Sequence, residues 1–534
     1  MLQSTLTQLV FASCNDSATL RDLGSLASVI LLFSALLYKV LYIPAVSPPQ
    51  RCHSLPRLQL PGWKVTQLFF EKRFDFIKDG FRATSSSIYQ TSLFRHAAIV
   101  LSGDEGRQFF FKEKGLCLYD TFSIMMGSSA AQFDPHQVSG VVRRMASIQR
   151  PENLQKVISL ILSECQRKMN AWGSKRILDP CSSLHEVTFQ LVMCIASFDI
   201  ANDPMLLARL KSLVDTVDSI TNPHSTWFPW LPGPALFHKF FASVQIYRIV
   251  QAAIHARKRS GIKRNDMLQQ MIDEGDSTIR IFGCMLGLSL AGARATGTIV
   301  TWLIMHISSD PTWSSNVQEE IKTFVSTHIS SSVSLSGDGL VQALSEIPLA
   351  AWESQMPNLD LCIRETLRTS QPYTAVRKNT GPDLTIGPYV IPSGSLVLYP
   401  FSDTALNPKY YPDPTRWDPS RGIEKDTPFI GWGAGSHACK GQRLATLSMK
   451  LVVVYALMRF DITMVDDQGK KINRLPLPTG MTLQLVVQWK DAESSSLKSD
   501  ITCRQASFYF FILSRKLPLP YGLVAFRANQ FLAI

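Results

Sequence analysis

Apolar residues in this chain are arranged in several distinct patterns. From Leu23 to Ile43 they run almost unbroken, interrupted only by serines, a glycine and Lys39, about the length that crosses a hydrocarbon core. From Phe109-Phe110-Phe111 through Met126-Gly127, and again from Val141 to Ser197, they recur at helical spacing and predict mainly amphipathic helices. Trp227 to Pro234 reads as a proline-broken loop. Leu288 to Ile307 is apolar enough to predict a long buried helix, with small residues gathered in Ala291-Gly292-Ala293-Arg294-Ala295-Thr296-Gly297-Thr298. Arg377 to Tyr399 alternates instead, around Gly387-Pro388 and Pro392-Ser393-Gly394, and predicts short strands and turns. Gln442 to Met458 predicts another helix, and Met481 to Trp489 a strand after a proline-rich turn. The expected fold class is mainly α with a minor β-sheet region, and no solenoid repeat is present.

Composition narrows the partners. The net charge of +12 is carried without a sustained Lys/Arg stripe or stacking-aromatic motif, so nucleic acid is not expected; an anionic membrane lipid surface is the simpler partner. Ten cysteines lie scattered, with no Cys-x-x-Cys, which argues against both a zinc site and a disulfide framework. The apolar run 23–43 is long, begins late and lacks a small-residue cleavage site, so it predicts a transmembrane anchor rather than a cleaved signal peptide. Lys39, Arg51, Arg57 and Lys64 follow with no acidic residue until Glu71, which places the downstream chain in the cytosol. Asn15-Asp16-Ser17 would then be a lumenal glycosylation acceptor.

The most informative run is Trp432-Gly433-Ala434-Gly435-Ser436-His437-Ala438-Cys439-Lys440-Gly441. It presents one cysteine on a glycine-relaxed loop just before the predicted helix at Gln442. Glycine permits backbone conformations and close approaches that a Cβ would block, and helix-opening amides stabilise a sulfur anion. This stretch resembles the haem-binding loop of the cytochromes P450. The resemblance makes Cys439 the axial thiolate ligand of the iron of haem b. Trp432 stands where that family usually has Phe.

Three further signals occur in the order of the P450 fold. In Leu361-Cys362-Ile363-Arg364-Glu365-Thr366-Leu367-Arg368, Glu365 and Arg368 project from one helical face. By itself this is an ordinary surface ion pair; the resemblance instead implies a buried structural pair completed by an arginine of the run Tyr411 to Arg421. Arg421 is the expected third partner, with Arg416 as the alternative. The helix around Ala291–Thr298 resembles the one that crosses the distal face of haem. Aligning the family's Thr with Thr296 makes that residue the catalytic candidate and puts Ala295 at the usual acid or amide position. The other register, with Arg294 at the acid and Ala295 at the Thr, is less favoured. Two cations, Arg377 and His437, match positions that hold the haem propionates, Arg377 being preferred because its charge is permanent and its fork bidentate.

The resemblance covers roughly 51–490 and is similar to fungal P450s of specialised metabolism. It divides the chain into a short lumenal N-terminus 1–22, an anchor 23–43, a proline-containing linker 44–50, a catalytic domain 51–490 and an atypical tail 491–534. It implies a monooxygenase of the endoplasmic reticulum membrane, facing the cytosol, that oxidises a lipophilic small molecule with O2 and electrons from NADPH-cytochrome P450 reductase. A pocket lined by the Thr296 helix and the turn near Thr479-Gly480-Met481 would hold the substrate. Two alternatives share every motif: a haem-thiolate isomerase or dehydratase needing no reductase, which Ala295 keeps open, and a non-catalytic haem protein. The tail, polar from Asp491 to Asp500 and apolar in pieces from Phe508, is compatible with packing on the domain, with membrane contact, or with a misassembled coding region.

Overall fold

Aspartate and proline mark where several helices begin. Asp179 caps Pro180–Ala196 by accepting the amides of Cys181 and Ser182 at 3.3 and 3.0 Å, and Asp310 caps Pro311–His328 through Thr312 and Trp313, both at 3.0 Å. In each case proline occupies the first turn, where its missing N–H costs nothing. The computed structural model describes residues 55–489, apart from 94–95, 119, 122–143, 145–146, 174, 220–233, 331–336, 371–372, 422–426, 467–468, 473–474 and 476–483. The proposed anchor, linker, tail, glycosylation acceptor and Thr479–Met481 turn therefore lie outside the described residues, as does nearly all of the loop Trp227 to Pro234.

Eight helices position the site: α1 Gly103–Lys112, α2 Pro151–Asn170, α3 Pro180–Ala196, α4 Pro204–Ser219, α5 Thr278–Ser309, α6 Leu349–Ser354, α7 Pro357–Ser370 and α8 Gln442–Arg459. Helix α5 is long and apolar enough to cross a membrane by length and composition, yet it threads the protein interior, packing on α3, α7 and α8. Its course includes one π-helical turn, Ser289–Ala293, between two α-helical stretches. Such single wide turns occur mostly at functional positions. The largest core cluster is built from α2, α3, α5, α7 and α8, with Trp352, Val452 and Tyr455 among its buried members.

Among the described residues the minor β component is three small sheets. The strands are β1 Ile88–Leu93, β2 His96–Leu101, β3 Leu116–Cys117, β4 Lys175–Leu178, β5 Thr374–Asn379, β6 Leu384–Ile386, β7 Tyr389–Ile391, β8 Leu396–Pro400, β9 Phe460–Val465 and β10 Gln484–Trp489. The first sheet runs β1-β2-β8-β5-β3, with β2 and β8 parallel and the other neighbours antiparallel. The second runs β4-β10-β9, and β6-β7 is a hairpin whose Gly387 has φ +52°. The alternation from Arg377 to Tyr399 thus forms four short strands, as its period-2 pattern predicts.

Candidate functional site

The segment Trp432–Gly441 is a tightly bonded loop. Gly433 N–H donates to the Ile430 carbonyl at 2.8 Å, Ala438 N–H to Gly435 at 3.2 Å, and Cys439 N–H to Trp432 at 2.8 Å. Gly433 and Gly435 sit at φ +69° and +67°, in the left-handed region. A Cβ on Gly435 would also fall 2.0 Å from the Phe111 carbonyl oxygen, so the loop can rest on the end of α1 only with glycine there. Trp432 packs against the main core. Among the described cysteines, all of them free, Cys439 alone is exposed. Its thiol is nonetheless pushed up by the surrounding protein, opposed by the Gly441 amide and the Lys440 charge. Cys439 lines, with Gln149, Glu353 and Arg443, a recess of about 440 Å³.

Strand β5 brings Arg377 to the same loop. Arg377 is 3% exposed, donates to the Phe110 carbonyl at 2.5 Å, and stacks over the Phe110 ring at 4.4 Å. Burial lowers its pKa to about 10. His437 is held below its usual range by burial and then by the Arg377 charge, with the Leu116 backbone opposing; the two side chains are therefore electrostatic neighbours, and near neutral pH only Arg377 is charged. Tyr373, just before β5, packs edge-on against Phe401 at 6.0 Å. Its hydroxyl is pushed up by burial and by Cys439, and pulled down by Arg294, so it stands where the loop and α5 face each other.

Glu365 and Arg368 of α7 are both buried and joined by two parallel bonds, 2.8 and 2.6 Å. The remaining Arg368 donors reach the carbonyls of Ala405, Pro414 and Arg416 at 2.6, 2.7 and 3.0 Å. Arg421 Nε lies 3.4 Å from Glu365 Oε1, without hydrogen-bond alignment, while its other nitrogens donate to the carbonyls of Pro412 and Asp413. Arg416 instead points outward, half-exposed, 4.0 Å from Asp418. The structure thus brings Arg421 rather than Arg416 to the pair. Asp418 N–H and Trp417 Nε1 tie the same segment to Glu365 and Thr366 at 2.9 and 3.1 Å.

Helix α5 presents two different faces. A Cβ on Gly297 would lie 2.5 Å from both His185 Cδ2 and Thr188 Oγ1, so α3 crosses α5 there, and His185 Nε2 is 3.2 Å from Thr298 Oγ1. Arg294 is paired with Asp218 of α4. These residues share the face turned to α3 and α4, beside a cavity of about 800 Å³ that reaches the π-helical turn. Burial and the Arg294 charge push His185 down to about 4. Away from that face, Ala295 is partly open while Thr296 is buried, whereas Gly292 lies against Leu288 and Val192 of α3. Thr301 bonds back to the Gly297 carbonyl at 2.7 Å; Thr296 makes no side-chain hydrogen bond among the described residues.

Sequence reasoning did not single out the Phe111 carbonyl under Gly435, the Asp218 partner of Arg294, or Gln149, which reaches the cysteine loop from 291 positions away. No local pattern signals such contacts.

The fold thus carries a cysteine on a glycine loop, a buried carboxylate–guanidinium pair and a buried helix with a run of small residues. The model for the family "Cytochrome P450" matches residues 152–487. The cytochrome P450 monooxygenase AacuE of Aspergillus aculeatus is 26% identical over 435 residues, covering 75% of this chain and 84% of the relative. The cytochrome P450 monooxygenase nsrP of Aspergillus novofumigatus is 27% identical over 476 residues, covering 84% and 90%. Abscisic acid 8'-hydroxylase 1 of Oryza sativa subsp. japonica is 23% identical over 431 residues, covering 79% and 85%. This chain belongs to the cytochrome P450 family and is an oxidoreductase.

Proposed function

We propose that the protein is a haem-thiolate monooxygenase that hydroxylates or otherwise oxidises a lipophilic small molecule in fungal secondary metabolism. The observation that carries the reading is Cys439 on a loop that only glycine can close, with Arg377 and His437 beside it. This donor set fits haem b: Cys439 would ligate the iron, and Arg377 as a cation and His437 as a hydrogen-bond donor would take the propionates. Bound haem supplies oxygen activation, which no side chain offers. The chain's own residues hold and orient. Glu365, Arg368 and Arg421 fix the segment that leads to the loop. Ala295 leaves room for substrate on α5, and the Thr296 hydroxyl beside it holds a water and passes its proton from Oγ1. Electrons come from NADPH through a reductase, and O2 is the co-substrate. Residues 23–43 anchor the protein in the endoplasmic reticulum membrane with the catalytic domain cytosolic, which would place Asn15 on the glycosylated side. The relatives named as monooxygenases, from two Aspergillus species, support the assignment to a fungal-type monooxygenase.

The test is turnover in microsomes containing a reductase, with a panel of lipophilic substrates. Product formation that requires both NADPH and O2 is the expected result. Product formed without either would instead establish the reductase-independent isomerase or dehydratase.

A further inference from the structure

Helix α8 begins at Gln442 directly after Gly441, which has no side chain with which to cap it. The first amides of a helix have no acceptor within it. One of them, Leu444 N–H, is accepted by Gln149 Oε1 at 3.3 Å, a side chain from the segment just before α2. The other end of the same amide group, Nε2, donates to the Lys440 carbonyl. Gln149 is itself held, because its backbone carbonyl accepts Arg443 Nη1 at 2.8 Å and Arg443 grips Glu353 of α6 at 2.5 and 3.0 Å. The clamp closes around the recess that Cys439 lines.

The Lys440 carbonyl and the Gly441 N–H belong to one peptide group, and in a planar trans peptide they point in opposite directions. Drawing the carbonyl towards Gln149 therefore aims the Gly441 N–H the other way, and Gly441 lies against the Cys439 sulfur, which a Cβ at that position would meet at 4.0 Å. Glycine at 441 makes this peptide easy to rotate, so something outside the loop has to fix it. We propose that Gln149 is a positioning residue that orients the Lys440–Gly441 peptide so that one backbone N–H is donated to the Cys439 sulfur. The inference rests on the reading of Cys439 as the iron ligand. A hydrogen bond to a ligating sulfur withdraws electron density and raises the potential of the metal, one of the ways in which groups around the ligand tune such sites.

Two variants separate orientation from capping. Gln149→Leu removes both bonds, whereas Gln149→Glu keeps an acceptor for Leu444 N–H but cannot donate to the Lys440 carbonyl when ionised. Full-length protein is followed by hydrogen exchange and, in the haem-loaded form, by redox titration. Exchange at Gly441 should accelerate roughly tenfold in both variants, the scale of losing one hydrogen bond, and at Leu444 only in Gln149→Leu. The midpoint potential should move to more negative values in both. Gln149→Glu with wild-type exchange at Gly441 would overturn the proposal, and so would faster exchange with an unchanged potential. If wild-type protein shows no thiolate-ligated haem, the functional reading fails, while exchange at Gly441 still decides whether Gln149 orients the loop.

Discussion

Arg368 donates two parallel hydrogen bonds to Glu365, at 2.8 and 2.6 Å, in a setting where both side chains are almost fully buried. Bidentate geometry of this kind fixes direction as well as distance. The same guanidinium holds three carbonyls of the irregular stretch from Ala405 to Arg416, so the pair organises chain that has little regular structure of its own. Glu365→Gln would leave Arg368 charged, buried and partly unpaired, a loss on the order of 3–5 kcal/mol. Thermal unfolding and haem content should both drop sharply. Arg416→Ala should change stability by less than about 1 kcal/mol, and an equal loss in the two variants would contradict the placement of Arg421 as the third partner.

Gly435→Ala should be far more damaging than its size suggests. Its methyl group would meet the Phe111 carbonyl oxygen at 2.0 Å, on backbone already at φ +67°. The loop must shift off α1, carrying Cys439 with it. Retention of haem should fall while circular dichroism stays close to wild type, because the displaced segment contains little secondary structure. Gly469→Ala provides the comparison: it has a similar φ of +76° but nothing within 4 Å, so it should retain haem.

Thr296→Ala tests the proton-handling role of α5. With Ala295 beside it and Arg294 drawn to Asp218, proton handling on α5 falls to the Thr296 hydroxyl. The fraction of NADPH consumption that ends in product should fall about tenfold or more, with Thr296→Ser close to wild type. Unchanged coupling in Thr296→Ala would show that the hydroxyl does not handle the proton and would favour the register that sets Ala295 against the family's threonine.

His306 of α5 makes stability dependent on pH. It stacks on Trp417 with ring centroids 4.8 Å apart and planes 1° from parallel, and burial pushes its pKa from 6.5 down to about 3. Between those values the unfolded chain binds a proton that the folded chain does not. Its contribution is therefore complete above pH 6.5 and is lost as pH falls towards 3. His306→Phe, which keeps the stack, should reduce the pH slope of unfolding free energy by about 1.4 kcal/mol per unit in that window. Denaturation midpoints at pH 5 and pH 8 would measure it.

Much of this site could be read from local sequence because its chemistry is local. Gly433, Gly435 and Cys439 lie within seven residues, and Glu365 and Arg368 one helical turn apart, so spacing alone brings them together. The period-2 stretch from Arg377 to Tyr399 and the apolar run Leu288 to Ile307 likewise declare their elements. What local pattern does not contain is the partner across the fold. Choosing between Arg416 and Arg421 required seeing which one turns inward. The Phe111 carbonyl, Asp218 and Gln149 are brought in by tertiary packing from hydrogen-bonding groups found all along any chain. The π-helical turn at Ser289–Ala293 is a backbone irregularity that an apolar run does not reveal.

Every functional role proposed above depends on Cys439 as a thiolate ligand. The most direct measurement is the carbon monoxide difference spectrum of the reduced, haem-supplied protein in microsomes, wild type beside Cys439→Ser. A far red-shifted Soret band in the wild type that disappears in the serine variant is the expected result. A folded, membrane-bound wild-type protein without that band, or a band that persists in Cys439→Ser, would contradict it.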